Sequence, residues 1–217
     1  MAEKVLSVLN ISKAFDDKKI INNLSLEFDE GIHVFTGENG CGKTTLLKML
    51  MGLTLPDEGD VFILGENTKI FSKKIRSRIN FVAASDRTLY YKLTASENLR
   101  YIGNIYGVPK KKLDNEIPKL LESVGLKEEG KYIETFSTGM KKRLMLAKAL
   151  INDPDIIYLD EIFSGLDEEG SKIALNIIES LRKSGKLILL VTHQKDLIPI
   201  NSTIYKIEDG EVYVDDN

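Results

Sequence analysis

Gly37-Glu38-Asn39-Gly40-Cys41-Gly42-Lys43-Thr44-Thr45 is the stretch on which the fold turns. It fits G-x-x-x-x-G-K-S/T, a phosphate-binding loop. Glycines in such a loop let backbone N–H groups turn inward around phosphate oxygens. Lys43 supplies a point charge for the outer phosphates, and Thr44 offers a hydroxyl to Mg²⁺. Leu46, Leu47, Met49 and Leu50 follow at helical spacing, so the loop stands at a helix N-terminus, where the backbone dipole favours anions. Ile32-His33-Val34-Phe35, just upstream, reads as a short strand. Strand, loop and helix in that order is the context the motif requires.

Outward from the loop, Val5 to Ile11 and Leu24 to Phe28 alternate as half-buried strands, and Asp29-Glu30-Gly31 turns into the strand before the loop. Downstream, Asp57-Glu58-Gly59-Asp60 is a turn leading to a strand at Val61–Leu64, and Ile79–Val82 is another. Thr94-Ala95-Ser96-Glu97 reads as a capping box opening a helix through about Tyr106, broken by Gly107-Val108-Pro109. A second helix spans Lys110 to Val124, with Leu113, Ile117, Leu120, Leu121 and Val124 on one face and Pro118 as a candidate kink. A third covers Ser137 to Asn152. These helices form a subdomain of roughly residues 85–152 inserted between strands. Ile156–Leu159 and Leu187–Val191 are continuous apolar runs, as parallel strands buried on both faces require. A helix from about Glu168 to Lys183 joins them, and Ser202–Ile207 with Glu211–Val214 reads as a closing hairpin around Glu208-Asp209-Gly210.

The chain has 217 residues, 42% hydrophobic and 29% charged, enough for one large domain or two modest lobes. A net charge of −3 gives no sign of a general polyanion binder, so nucleic acid is not an expected partner. The single cysteine, Cys41, lies in the phosphate loop, so no disulfide framework is possible, which suits a reducing compartment. Met1-Ala2-Glu3-Lys4 opens toward a strand without a signal-peptide core, and no apolar run is long enough to cross a bilayer. The chain is expected to be soluble, and to serve a membrane only through another polypeptide.

Ile156-Ile157-Tyr158-Leu159-Asp160-Glu161 sets two carboxylates after four apolar residues. In open α/β sheets, ligands bind at the carboxyl ends of strands. Asp160 is placed there to hold Mg²⁺. If strand geometry persists, Glu161 points the other way. A carboxylate beside the γ-phosphate is a candidate to polarise the attacking water. Acidic residues often end strands; it is the pairing with the phosphate loop that points to nucleotide hydrolysis. Ser137 can cap the third helix and Gly139 permits close backbone approach, which makes a second anion-binding helix end. Met140 and Met145 read as packing residues. His193, just past a buried strand, is either structural or a donor to a γ-phosphate oxygen. His33, without companions, reads as structural. The basic segments 73–78 and 110–112 read as solvated surface.

These pieces, in this order, resemble the nucleotide-binding subunit of ABC transporters over nearly the whole chain. Phe15 matches the family's aromatic residue that stacks on adenine. Ser137-Thr138-Gly139-Met140-Lys141 is similar to the signature loop, with Thr138 and Met140 in place of glycine and glutamine. Ser164-Gly165-Leu166-Asp167 resembles the loop lining the dimer interface, and His193 takes the family's role toward the γ-phosphate.

One departure is plain. The family carries a glutamine after the strand near residue 82, whereas this chain reads Phe81-Val82-Ala83-Ala84-Ser85-Asp86-Arg87, leaving Ser85 or Asp86 as oxygen ligands in its place.

The resemblance implies an α/β fold: a P-loop NTPase (RecA-like) core, an antiparallel β subdomain and the inserted helices, all in one ABC-type ATP-binding domain over residues 1–217. It implies ATP and Mg²⁺ as ligands, with Thr44 and Asp160 on the metal and Lys43, Glu161 and His193 as catalytic residues. Phe15 and Gly37 through Thr45 would bind the nucleotide. Ser137 and Gly139 would contact ATP in trans, and Asp167 would lie at the dimer interface. Expected partners are a second ATP-binding subunit, in a homodimer or heterodimer, and a transmembrane permease at the cytoplasmic face of the membrane. The Ser85–Leu93 loop and the groove beside it are the expected surface for that permease. The signature and the missing glutamine look more like the exporter-type branch. Rival readings are a soluble ABC ATPase in cluster assembly and, sharing only the phosphate loop, a small-molecule kinase.

Overall fold

A computed structural model describes residues 5–16, 18–70 and 72–215. The N-terminal reading at Met1–Lys4 falls outside them. The chain opens with two long antiparallel strands, β1 (Leu6–Phe15) and β2 (Lys18–Phe28), then β3 (Gly31–Gly37) and α1 (Lys43–Leu50). β4 (Glu58–Ile63) and the short β5 (Glu66–Asn67) return to the first pair, making a four-stranded antiparallel sheet ordered β2-β1-β4-β5. Next come α2 (Lys73–Arg78) and β6 (Ile79–Val82). The inserted helices follow: α3 (Ala95–Ile105), α4 (Lys110–Ser123) and α5 (Thr138–Leu150). β7 (Ile156–Asp160), α6 (Glu168–Lys183), β8 (Leu187–Val191), β9 (Ser202–Glu208) and β10 (Glu211–Val214) complete the chain.

The second sheet has six strands in the order β10-β9-β3-β8-β7-β6. All adjacent pairs are parallel except the β9–β10 hairpin at one edge. Its central strands divide alternate side chains between two cores. Ile157, Leu159, Ile188 and Leu190 face the cluster built with the inserted helices and α6. Ile156, Tyr158, Leu187 and Leu189 face the cluster built with α1 and the antiparallel sheet. A strand buried on both faces has no polar side to expose, which is why β7 and β8 read as uninterrupted apolar runs.

Local sequence signals explain most element ends. Thr94 and Glu97 close a reciprocal capping box on α3. Ser137 caps α5, its hydroxyl oxygen accepting from the Met140 N–H at 3.2 Å. α4 runs through Pro118 without interruption. The opening strands are longer than alternation alone predicts, because β1 and β2 are bulged and Asn10 and Asn23 adopt left-handed backbone with φ of 50° and 47°. A bulge shifts the two-residue period and hides the strand from a pattern search.

Candidate functional site

The parallel sheet brings the carboxyl ends of four adjacent strands to one edge. β3 delivers the phosphate loop, β8 delivers Thr192 and His193, β7 delivers Asp160 and Glu161, and β6 delivers the segment starting at Ala83.

The loop needs its glycines for two separate reasons. Gly37 has φ of 145°, and a Cβ there would lie 2.6 Å from the Ile207 carbonyl oxygen and 2.8 Å from Cys41 Sγ. Gly42, which caps α1, has φ of 110°, and its Cβ would lie 2.4 Å from Ile20 Cγ2. Lys43 is buried, and its ammonium donates to the Gly37 and Glu38 carbonyls at 2.9 and 2.8 Å. The charge is thus fixed inside the ring of the loop. No acid stands in the first turn of α1, so nothing in that turn opposes an anion at the helix end.

Thr44 Oγ1 donates to the Asp160 carboxylate, with distances of 3.1 and 3.3 Å to its two oxygens. Residues 116 positions apart thus meet across the end of β8. Asp160 is 8% exposed. Burial pushes its carboxyl above the ordinary value, the Thr44 hydroxyl pulls it back, Glu161 raises it, and Lys48 and Lys142 lower it. Among the described residues no group of three or more His, Cys, Asp or Glu is arranged to hold a metal unaided. A hydroxyl beside one carboxylate is the donor set that suits Mg²⁺ shared with phosphates, because that ion keeps water and substrate oxygens in its shell.

Strand geometry stops at Asp160. Glu161 has φ of 51°, so the expectation that it simply takes the opposite face of β7 does not hold. Its N–H donates to the Val191 carbonyl at 3.0 Å, and its carbonyl accepts from Ser164 N–H at 3.2 Å, which fixes the left-handed turn. The side chain meets His193, with Nδ1 and Oε2 2.8 Å apart. His33 is buried, within reach of the Tyr205 hydroxyl and the Asp29 carbonyl, and burial lowers its pKa; it is structural, as expected.

Ser137 and Gly139 lie elsewhere. Ser137 is exposed at the start of α5, and a Cβ built on Gly139 would lie 3.4 Å from the Gly165 carbonyl oxygen. Asp167 caps α6 through the Gly170 N–H at 2.8 Å. Phe15 is half exposed and pairs with Lys18 across the β1–β2 turn, while Lys18 and Lys19 share a hollow of about 490 Å³ with Glu38 through Cys41. A second hollow of about 690 Å³ lies on the other side of the loop, lined by Gly37, Glu38, His193 and Lys206 among others. After β6, Ser85 caps a short turn through the Arg87 N–H, and Asp86 lies 3.6 Å from Lys141.

Two lysines escaped notice in the sequence. Lys142 is 5% exposed and donates to the Ala84 carbonyl at 2.5 Å. Lys148 donates to the Thr88 carbonyl at 3.3 Å and lines an apolar groove of about 510 Å³ with Leu53, Ile102 and Ile105. The signal was present: Lys142 precedes Met145, Leu146 and Ala149 at helical spacing and so shares their buried face.

A phosphate loop on β3, a carboxylate one strand beyond its neighbour and a helix behind the loop define a P-loop nucleoside triphosphatase. The ABC transporter family model matches residues 21–164. An ABC transporter ATP-binding protein of Pyrococcus furiosus is 38% identical over 200 residues, covering 91% of this chain and 77% of that one. The ABC transporter ATP-binding protein NatA of Bacillus subtilis is 33% identical over 215 residues, covering 96% and 87%. The Nod factor export ATP-binding protein I of Cupriavidus metallidurans is 37% identical over 191 residues, covering 87% of this chain and 63% of its own length. Among solved structures, a dimeric post-hydrolysis ATP-binding cassette bound to ADP and Pi superposes with a TM-score of 0.87 at 24% identity, covering 97% of each chain. A second, titled as the ATP-binding subunit of an ABC transporter, gives 0.85 at 24%, covering 97% and 90%. At that identity the two structures speak for the fold. The chain belongs to the ABC transporter family, as an ATP-binding subunit with ATPase activity.

Proposed function

We propose that this ATPase powers transport across a membrane through a separate transmembrane permease, and that its hydrolytic site is completed only between two copies. The observation that carries the reading is the Thr44–Asp160 contact, which joins the phosphate loop to β7 next to the Glu161–His193 pair. One ATP-binding domain over residues 1–217 holds the site, with the helices of roughly 85–152 as its subdomain.

In this reading the backbone of Gly37 through Thr45 cradles the phosphates, and Lys43 neutralises the outer ones from a position already set by two carbonyls. Phe15, exposed at the turn beside the loop, stacks on adenine. Thr44 Oγ1 and the Asp160 carboxylate hold Mg²⁺, which when bound supplies positive charge to the phosphate oxygens. Glu161 orients the attacking water. His193, bonded to Glu161 through Nδ1, keeps that carboxylate in place, and with both ring nitrogens protonated it donates from Nε2 to a γ-phosphate oxygen. Ser137, exposed, and Gly139, partly buried, at the start of α5 meet the triphosphate bound to the other copy, so each ATP bridges two helix ends. Asp167 faces the interface between the copies.

The groove that Lys148 lines has exposed Leu53 and Ile105 at its walls, which suits an apolar segment of the permease. Among the described residues no helix is long and apolar enough to cross a membrane, so the transmembrane path is assigned to that partner at the cytoplasmic face. The names of the Nod factor relatives favour export as the direction.

Glu161→Gln tests the site. It should keep ATP affinity and lose on the order of 10²–10⁴ in turnover. Unchanged turnover would remove Glu161 from the mechanism.

A further inference from the structure

Lys142 is a buried cation that the mechanism above leaves without a duty. It stands in the second turn of α5, and its one short contact is the Ala84 carbonyl at 2.5 Å. An ammonium has three N–H donors and is strongly hydrated, so burying it is unfavourable unless its surroundings answer the charge. Three carboxylates do so through space: Asp160 and Glu161 at the end of β7, and Asp86 in the segment after β6. Among the described residues none of them closes to an ion pair with Lys142. Asp86 is engaged instead by the neighbouring Lys141, whose ammonium also lies 4.5 Å above the Tyr91 ring. Lys142 is therefore bound to backbone and set in the field of the site.

The register of the sheet shows what that bond controls. Val82, the last residue of β6, pairs with Leu159, so the next residues, Ala83 and Ala84, leave the sheet alongside Asp160 and Glu161. Among the described residues the segment has no sheet neighbour on its other side, because β6 is the edge strand. At the residues flanking the carboxylates, the hydrogen bond from Lys142 to Ala84 is the tie from α5, with the Lys141–Asp86 pair two residues further on. The same helix holds the far end of the segment, where Lys148 donates to the Thr88 carbonyl.

We infer that Lys142 is a positioning residue for ATP hydrolysis: by holding the Ala84 carbonyl, it sets the end of β6 against the Asp160–Glu161 end of β7. The inference rests on the site proposed above. A side chain of similar volume without the charge would release Ala84 and remove the positive charge that Asp160, Glu161 and Asp86 share. Misplacement of that order at a reacting centre is felt in turnover more than in binding, since the phosphate loop on β3 is untouched.

The test measures steady-state ATP hydrolysis, affinity for a fluorescent ATP analogue and thermal unfolding for Lys142→Met and Lys142→Arg. Lys142→Met should lower kcat about tenfold or more, with KM and nucleotide affinity within about threefold of the parent. Lys142→Arg should recover most of the rate. A Lys142→Met enzyme within about twofold of the parent kcat overturns the inference, as does parallel loss of kcat and nucleotide affinity that arginine fails to restore. Lys142→Leu, read in the same way, carries the test if the methionine variant does not accumulate folded. Glu161→Gln, run alongside, separates the two levels. Full activity there defeats the site itself, whereas a slow Glu161→Gln beside a fast Lys142→Met defeats Lys142 alone.

Discussion

Lys148→Met is expected to stabilise the protein at neutral pH by about 2 kcal/mol. Lys148 lies on the inner wall of the groove, and burial lowers its pKa from 10.5 to about 8. One pKa unit corresponds to about 1.4 kcal/mol, so keeping the ammonium there costs about 3 kcal/mol below pH 8, relative to the unfolded chain. Methionine fills much of the same space without a charge. It also removes the donor to the Thr88 carbonyl, a long bond at 3.3 Å. That loss is worth about 1 kcal/mol, which leaves a net gain of about 2 kcal/mol. In a chain of this size the gain corresponds to about 4–8 °C in Tm.

The pH dependence gives a second handle on the same residue. The folded pKa lies below the unfolded one, so the unfolded chain binds more protons between about pH 8 and 10.5. The parent therefore gains stability as pH rises through that window, and the variant lacks this contribution. The difference between them should be largest at pH 7 and close toward pH 10.5. Thermal or urea unfolding of both proteins at the two ends of the window measures it. Equal stability at pH 7, or a difference that does not change with pH, refutes the reasoning.

Three further outcomes are expected. Lys43→Ala should abolish nucleotide binding; a variant that still binds ATP tightly would contradict the placement of the ammonium inside the loop. Gly42→Ala forces a Cβ into left-handed backbone against Ile20 and should lower stability by about 1–2 kcal/mol and weaken ATP binding, as read by unfolding and by titration with a fluorescent analogue. Cys41, half-buried in the loop, should react with a thiol reagent more slowly when ATP is bound; equal rates would mean that phosphate does not cover it.

The parts of the fold legible in the sequence are those where one interaction dominates. β7 and β8 are buried on both faces and so show as pure apolar runs. α3 announces itself by its capping box. The phosphate loop is read from glycines whose positive φ and close neighbours at Gly37 and Gly42 leave no other residue type comfortable. What escaped was set by tertiary contacts. The first half of β2, Lys18 to Asn23, lacks alternation because the strand is bulged. α2 hid inside a basic segment, although Ser72 caps it by accepting from the Ile75 N–H at 3.1 Å and Ile75 is fully buried.

The same division runs through the site. Asp160, Glu161 and His193 were each legible as residue types at strand ends, and Thr44 at the start of the helix behind the phosphate loop. The sheet order brings Thr44 into contact with Asp160, and Glu161 into contact with His193. Their meeting depends on β8 lying between β3 and β7, which no local pattern encodes. Glu161 shows the limit most clearly. Its left-handed backbone is imposed by bonds to Val191 and Ser164, so extrapolating strand alternation one residue too far misplaces it. Lys142 was hidden for the opposite reason. A lysine in a charged stretch reads as surface, and only its phase with Met145 and Leu146 puts it inside.

In the mechanism proposed above, triphosphate joins two copies, each supplying half of the site. Light scattering on Glu161→Gln, with saturating ATP and then with ADP, tests it most directly. The ATP-bound variant should form a stable dimer that falls apart in ADP, and the parent's hydrolysis per molecule should decline on dilution. A variant that stays a monomer with ATP bound, beside a parent that hydrolyses at an undiminished rate however dilute, would contradict it.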